Sequence, residues 1–104
     1  MPRARFFFDA GSGTLLWRDD VEPGESFVDL GELPVSDALR EELVRLVAEY
    51  DTSLNWEYPP DPGPWTEDRC RRFNEAVRRT LDRLRAELPH WHIEDGFRDL
   101  HAGE

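Results

Sequence analysis

The sequence predicts a single α+β domain, a small antiparallel sheet that carries two amphipathic helices on one face. Two stretches repeat apolar residues at helical spacing, and an alternating run near each end of the chain is typical of a strand. The chain has 104 residues, which is the usual length of one domain. We therefore treat residues 1–104 as one α+β unit.

The N-terminal region predicts a β-hairpin. Residues 3–9 alternate in polarity, so Phe6 and Phe8 are expected on the buried face. The segment Gly11-Ser12-Gly13 then marks a turn, because glycine accepts positive φ. The returning strand is expected to bring Trp17 to the same buried face.

Two helices follow, and each begins at a capping residue. Ser36 precedes the first predicted helix, over residues 37–50, and Thr66 precedes the second, which ends before Pro89. Trp91 and Ile93 then alternate with polar residues and predict the last strand, in the same antiparallel sheet, before a loose tail. The apolar positions of the helices are Leu39, Leu43, Leu46, Val47 and Tyr50, and then Cys70, Phe73, Val77, Leu81, Leu84 and Leu88.

The cysteine content and the N-terminus indicate a cytoplasmic location. Cys70 is the one cysteine in the sequence, so no internal disulfide can form, and its place on an apolar stripe predicts a core thiol. The N-terminus lacks the apolar run of about 7–15 residues that a signal peptide has. No stretch reaches the roughly 20 apolar residues of a spanning helix, so no membrane association is expected.

The charge distribution points to a basic partner. The net charge is −10, and residues 1–66 carry 14 acidic and 5 basic side chains against 9 and 8 in residues 67–104. Such a field repels nucleic acid and attracts cationic proteins. Asp19, Asp20 and Glu22 are the candidate residues for this attraction. The alternative is that the acidity only maintains solubility.

A proline-rich segment between the helices combines aromatic and acidic side chains. Exposed aromatic residues on a stiff backbone make strong protein contacts, because they lose little entropy on binding. The alternative is that the two tryptophans of the segment fold back and cover the core between the helices. The candidate binding residues in this segment are Trp56, Glu57, Tyr58, Asp61 and Trp65.

A histidine pair offers a different class of function. His90 and His92 are two residues apart, and residues at i and i+2 of a strand share a face, so both imidazoles could reach one zinc ion. A metal site needs a third ligand, which the sequence does not place. A small metal protein or enzyme is therefore the alternative hypothesis, and no cofactor is expected otherwise.

Short segments from residue 33 onward carry a resemblance. They are Leu33-Pro34-Val35-Ser36, Tyr50-Asp51-x-x-Leu54-Asn55-Trp56, Phe73 and Leu84-x-x-Glu87-Leu88, with a looser match at Trp17. With these segments the chain resembles a family of short proteins common in high-GC soil actinobacteria, which has no assigned reaction. The resemblance implies a structural similarity and a bacterial cytoplasmic protein, and it implies no catalytic residues.

The leading hypothesis from the sequence is a non-enzymatic acidic binding protein. Small size, the negative first part, the aromatic segment and the absence of a catalytic motif favour an immunity-type inhibitor of a cationic bacterial toxin. A nucleic-acid-mimicking inhibitor has the same features and belongs to the same class. The sequence predicts no oligomeric state.

Overall fold

A computed structural model of the chain describes residues 2–22, 26–53 and 65–101. It contains two helices and a three-stranded sheet, which confirms the predicted α+β class. In chain order the elements are β1 (Arg3–Phe6), β2 (Leu16–Arg18), a 3₁₀ turn (Leu30–Glu32), α1 (Asp37–Thr52), α2 (Glu67–Glu87) and β3 (His92–Asp95).

The sheet is mixed, with strand order β2-β1-β3. β1 and β2 pair antiparallel, as the hairpin predicted, with Phe6 opposite Leu16. β3 pairs parallel with β1, with Ala4 opposite Ile93, so the expectation of an all-antiparallel sheet is wrong. The reason is the long connection through both helices, which returns the chain to the end of the sheet where β1 begins and permits a parallel crossover.

One face of the sheet carries the core. Ala4 and Phe6 of β1, Leu16 of β2 and Ile93 of β3 are buried on this inner face. The apolar stripes of the two helices pack into the same cluster, as the helical spacing predicted. Their buried members are Leu39, Leu43, Leu46 and Val47 of α1, and Cys70, Phe73, Val77, Leu81 and Leu84 of α2.

Both helices begin at the predicted caps. The Ser36 hydroxyl accepts a hydrogen bond from the Leu39 N–H at 3.2 Å, and the Thr66 hydroxyl does the same for Arg69 at 3.2 Å. The Glu87 carboxylate, at the end of α2, accepts hydrogen bonds from the Ser36 N–H at 2.6 Å and hydroxyl at 2.8 Å. The start of α1 is therefore tied to the end of α2.

The C-terminal segment is held against α2 as far as residue 101, so the expectation of a loose tail is wrong for this part. The buried Asn74 side chain donates to the Leu100 carbonyl at 3.0 Å and accepts from the Leu100 N–H at 2.9 Å. Phe97 contacts the core ring of Phe73 and also Phe8, with centroid distances of 6.3 and 5.7 Å. An amide and one aromatic ring therefore fix the segment.

Two sequence expectations about local positions have different outcomes. Cys70 is buried, as its place on the helical stripe predicted. Trp17 was expected on the buried face, but it pairs with Arg5 on the opposite face of the sheet. The reason is register: Leu16, and not Trp17, lies opposite Phe6. Neither helix in the described part of the chain has the apolar length that a bilayer crossing needs.

Candidate protein-binding site

The sheet face that points away from the helices is the candidate site, and we call it the outer face. Its side chains alternate with those of the core along β1, β2 and β3. Polar positions on this face are exposed, as the burial pattern of β1 and β3 shows. The residues of the outer face are Arg3, Arg5, Phe7, Trp17, Asp19, Phe27, His92 and Glu94.

Three aromatic rings cross the outer face, and we call Phe7, Trp17 and Phe27 the aromatic row. Phe7 stacks on Trp17 with ring centroids 5.3 Å apart and planes 12° apart. Phe27 forms a single β-bridge with Trp17 and meets its ring edge-on at 5.9 Å. The indole N–H of Trp17 donates to the Phe7 carbonyl at 3.2 Å. The row is thus fixed by ring contacts and by an internal hydrogen bond.

Two ion pairs lie beside the aromatic row. Arg3 Nε is 3.3 Å from Asp19 Oδ1, and Arg5 Nε is 3.6 Å from Glu94 Oε2 across the β1–β3 pair. Arg3, Asp19 and Glu94 line a depression of about 360 Å³ together with His92. These exposed pairs contribute little stability, on the order of 0–1 kcal/mol each, and they give this side of the face a polar rim of mixed charge.

The three acidic residues predicted from the sequence lie at the end of β2, next to the outer face. Asp20 accepts two hydrogen bonds from the Arg18 guanidinium, at 2.9 and 2.8 Å. These bonds lower the pKa of Asp20 to about 2. Asp19 pairs with Arg3, and Glu22 is exposed. Two of the three predicted carboxylates are therefore already paired with arginine, which reduces the charge they present to a partner.

A second depression, of about 400 Å³, lies beyond Phe27. Its walls are apolar at Val21 and Pro34, and the exposed residues Asp29 and Glu32 also line it. Arg18 lines it too, with its guanidinium bonded to Asp20. The Asp29 carboxylate accepts the Gly31 N–H at 2.8 Å and begins the 3₁₀ turn, which fixes its position. Apolar walls with carboxylates suit the methylenes and the charged end of a long cationic side chain.

Of the predicted aromatic and acidic segment, Trp65 lies in the described part of the chain. Trp56, Glu57, Tyr58 and Asp61 lie outside the described residues. Trp65 is 7% exposed, meets Phe73 edge-on at 5.1 Å, and donates its indole N–H to the Thr52 hydroxyl at 3.2 Å. This tryptophan covers the core between the helices, as the alternative interpretation of the segment proposed.

The histidine pair is divided between two local structures. His90 lies in the turn before β3, and His92 is the first residue of that strand. Within residues 2–22, 26–53 and 65–101, no group of three or more His, Cys, Asp and Glu side chains is placed to hold a metal ion. The described geometry gives no support to the metal hypothesis.

The aromatic row contains residues that the sequence reasoning did not assign to a site. Trp17 was predicted on the buried face, and Phe27 was not assigned to any site. The available signal was the pairing register, because a shift by one residue reverses every side chain of a strand. Trp17 next to Leu15 and Leu16 left that register ambiguous.

Comparison with known proteins identifies the family. No curated protein matches the chain. The family model described as Serratia CdiI immunity protein-like matches residues 5–94. Of the residues in the three strands, the match leaves out Arg3 and Ala4 of β1 and Asp95 of β3. Proteins of this family are immunity proteins of contact-dependent growth inhibition. The chain belongs to the Serratia CdiI immunity protein-like family.

Proposed function

We propose that this immunity protein neutralises a basic toxin by binding it directly in the bacterial cytoplasm. The observation that carries the proposal is the family match over residues 5–94. An immunity protein has a toxin as its partner, and the net charge of −10 favours a toxin of opposite charge. The predicted actinobacterial origin has no bearing on this proposal and stays a prediction.

The proposed role of the acidic residues is to accelerate the encounter. Complementary charges mainly raise the association rate, while a close-packed centre sets the dissociation rate. Glu22, Asp29 and Glu32 are exposed, and Asp29 and Glu32 supply negative charge to the depression that Phe27 lines. Asp19 and Asp20 add less, because each is paired with an arginine. The predicted contacts of Trp56, Glu57, Tyr58 and Asp61 remain part of the proposal.

The test begins by identifying a toxin-like open reading frame next to the gene for this chain, and it uses the product of that frame. Co-expression of the two proteins should restore the growth that the toxin alone abolishes. The association rate of the purified pair should fall by about tenfold or more from low to physiological ionic strength, because exposed charges are screened beyond about 8–10 Å. Growth that is not restored would refute neutralisation, and an association rate independent of salt would refute the basic partner.

A matched pair of double variants locates the charge that matters. Glu22→Gln with Glu32→Gln removes the exposed carboxylate that follows β2 in the chain and one that lines the depression beside Phe27, and association should slow by about two- to fivefold with an unchanged dissociation rate. Glu41→Gln with Asp82→Asn removes two exposed carboxylates from the helices and should have a smaller effect. Equal slowing by both variants would indicate attraction by net charge alone.

A further inference from the structure

We infer that the aromatic row of Phe7, Trp17 and Phe27 forms the centre of the toxin interface. The surface that it fits is an apolar depression on the toxin surrounded by arginine or lysine side chains. The inference rests on the proposed function and adds the location of the contact. It assigns binding to residues other than the acidic and proline-rich segments predicted from the sequence.

The aromatic row is exposed to solvent at Phe27. Phe27 is 49% exposed although it is a large apolar residue, and the half-buried rings of Phe7 and Trp17 lie beside it. In the part of the chain that the structure describes, the other exposed large hydrophobic residue is Val44, at 51%. Single exposed apolar residues are common, whereas contiguous apolar patches mark interaction sites. Only Phe27 of these two belongs to a row of aromatic rings.

The side chains of the aromatic row are preorganised. The ring of Trp17 is stacked on one side by Phe7 and met edge-on by Phe27, and its N–H is bonded to a carbonyl of the hairpin. The indole therefore needs no polar partner in a dry interface. Side chains that are already ordered lose little conformational entropy on binding, so more of the contact energy appears as affinity.

Charged side chains surround the aromatic row. The Arg3–Asp19 and Arg5–Glu94 ion pairs lie on one side. On the other side, beyond Phe27, Asp29 and Glu32 line the second depression. Interfaces commonly have a dry apolar centre within a polar rim. The exposed carboxylates of this rim match the basic toxin of the proposed function, and their position next to the row makes one continuous surface.

Other surfaces fit a basic partner less well. The free edge of β3 is partly occupied, because the Arg85 guanidinium donates to the Ile93 carbonyl at 2.7 Å, which hinders the addition of a strand. A depression of about 350 Å³ between the helices is lined by Arg45, Arg69, Arg72 and Arg79, whose charge repels a basic toxin. On the outer face, Arg3 and Arg5 are each paired with a carboxylate, Asp19 and Glu94, so this face has no comparable excess of positive charge.

The experiment compares the two exposed apolar residues. Phe27→Ala should weaken binding to the toxin-like protein of the neighbouring gene by at least about tenfold, through faster dissociation. Val44→Ala, the matched control on α1, should leave the affinity within about twofold. Thermal unfolding of both variants should stay close to the wild type, since both side chains are about half exposed.

A second variant at Phe27 tests the role of the ring, and the possible outcomes distinguish a failure of this inference from a failure of the proposed function. Phe27→Tyr retains the ring and should keep most of the affinity. A loss of affinity in Phe27→Ala alone is then due to the missing ring, and not to a general sensitivity of the fold to substitution at this position. If the wild type binds the toxin and Phe27→Ala binds equally well, or if Val44→Ala weakens binding as much, the aromatic row is not the centre and the proposed function stands. If the wild type does not bind the toxin, the proposed function fails and this inference fails with it.

Discussion

Phe6 and Phe7 are neighbours in the chain, yet they lie on opposite faces of the sheet. Phe6 is fully buried and meets Phe8 edge-on at 6.0 Å in the core. Phe7 is half buried and stacks on Trp17 on the outer face. The two residues have the same chemistry, so the difference comes from which face the helices cover. The comparison teaches that two adjacent apolar residues at the end of a strand can have different roles, one ring filling the core and the other lying on the open face of the sheet.

The two faces also differ in what supports them. The inner face packs against the stripes of α1 and α2 in one hydrophobic cluster. The outer face is bordered by exposed ion pairs such as Arg3–Asp19, which stabilise the fold only slightly. Changes on the inner face should therefore affect stability most, and changes on the outer face should affect binding most.

The largest expected effect comes from truncating the inner phenylalanine. Phe6→Ala removes a fully buried ring, and the free energy of unfolding should fall by about 3–5 kcal/mol. Phe7→Ala, one residue along, should cost clearly less, because that ring is already half in water. Urea unfolding followed by circular dichroism measures both values. Equal losses for the two variants would contradict the division between the faces.

The next effect concerns the C-terminal segment, which lies on the helix side of the molecule. Asn74→Ala removes both hydrogen bonds to the Leu100 backbone. The free energy of unfolding should fall by about 1–3 kcal/mol, because the partly buried carbonyl and N–H of Leu100 lose their partner. Hydrogen exchange of residues 97–101 should also accelerate.

The control for the Asn74 variant is Arg78→Ala, which removes the exposed ion pair with Asp99 in the same segment. It should cost no more than about 1 kcal/mol. Slow exchange at Leu100 in the Asn74 variant would show that Phe97, and not the amide, holds the segment. The attachment of residues 97–101 to α2 would then depend on the packing of the Phe97 ring.

The sequence predicted the local elements better than their arrangement. Ser36 and Thr66 marked both helix starts, because capping is a local property of the chain. The parallel pairing of β3 and the outer position of Trp17 depend on register and on the path between strands, which local patterns do not contain. The hold of Asn74 on Leu100 joins residues far apart in the chain, and an asparagine on a helix gives no sign of it.

For the candidate site, the sequence predicted the class of function and part of the rim. The net charge and the small size led to an immunity-type inhibitor, and the family match supports that class. Asp19 does lie on the outer face and Asp20 beside it, but their pairing with arginines was not visible. The aromatic row was not predicted from the sequence, because Trp17 and Phe27 are brought together by a β-bridge between residues ten positions apart in the chain.

The smallest expected effect lies at the rim of the outer face, where Asp20 pairs with Arg18. Hydrogen bonds from Arg18 lower the pKa of Asp20 from 3.8 to about 2. A folded pKa below the unfolded one means that the pair stabilises the fold above about pH 4, and that this contribution is lost as the pH falls towards 2. Asp20→Asn should therefore lower the thermal midpoint slightly at pH 7, and the two proteins should converge near pH 2. Asp82→Asn, an exposed carboxylate on α2, is the control and should leave the midpoint unchanged. A difference in thermal midpoint that persists at pH 2 would show that the Asp20 side chain acts through packing or through its bond with the Arg3 N–H. The rim of the outer face would then contribute to the stability of the fold, as the inner face does.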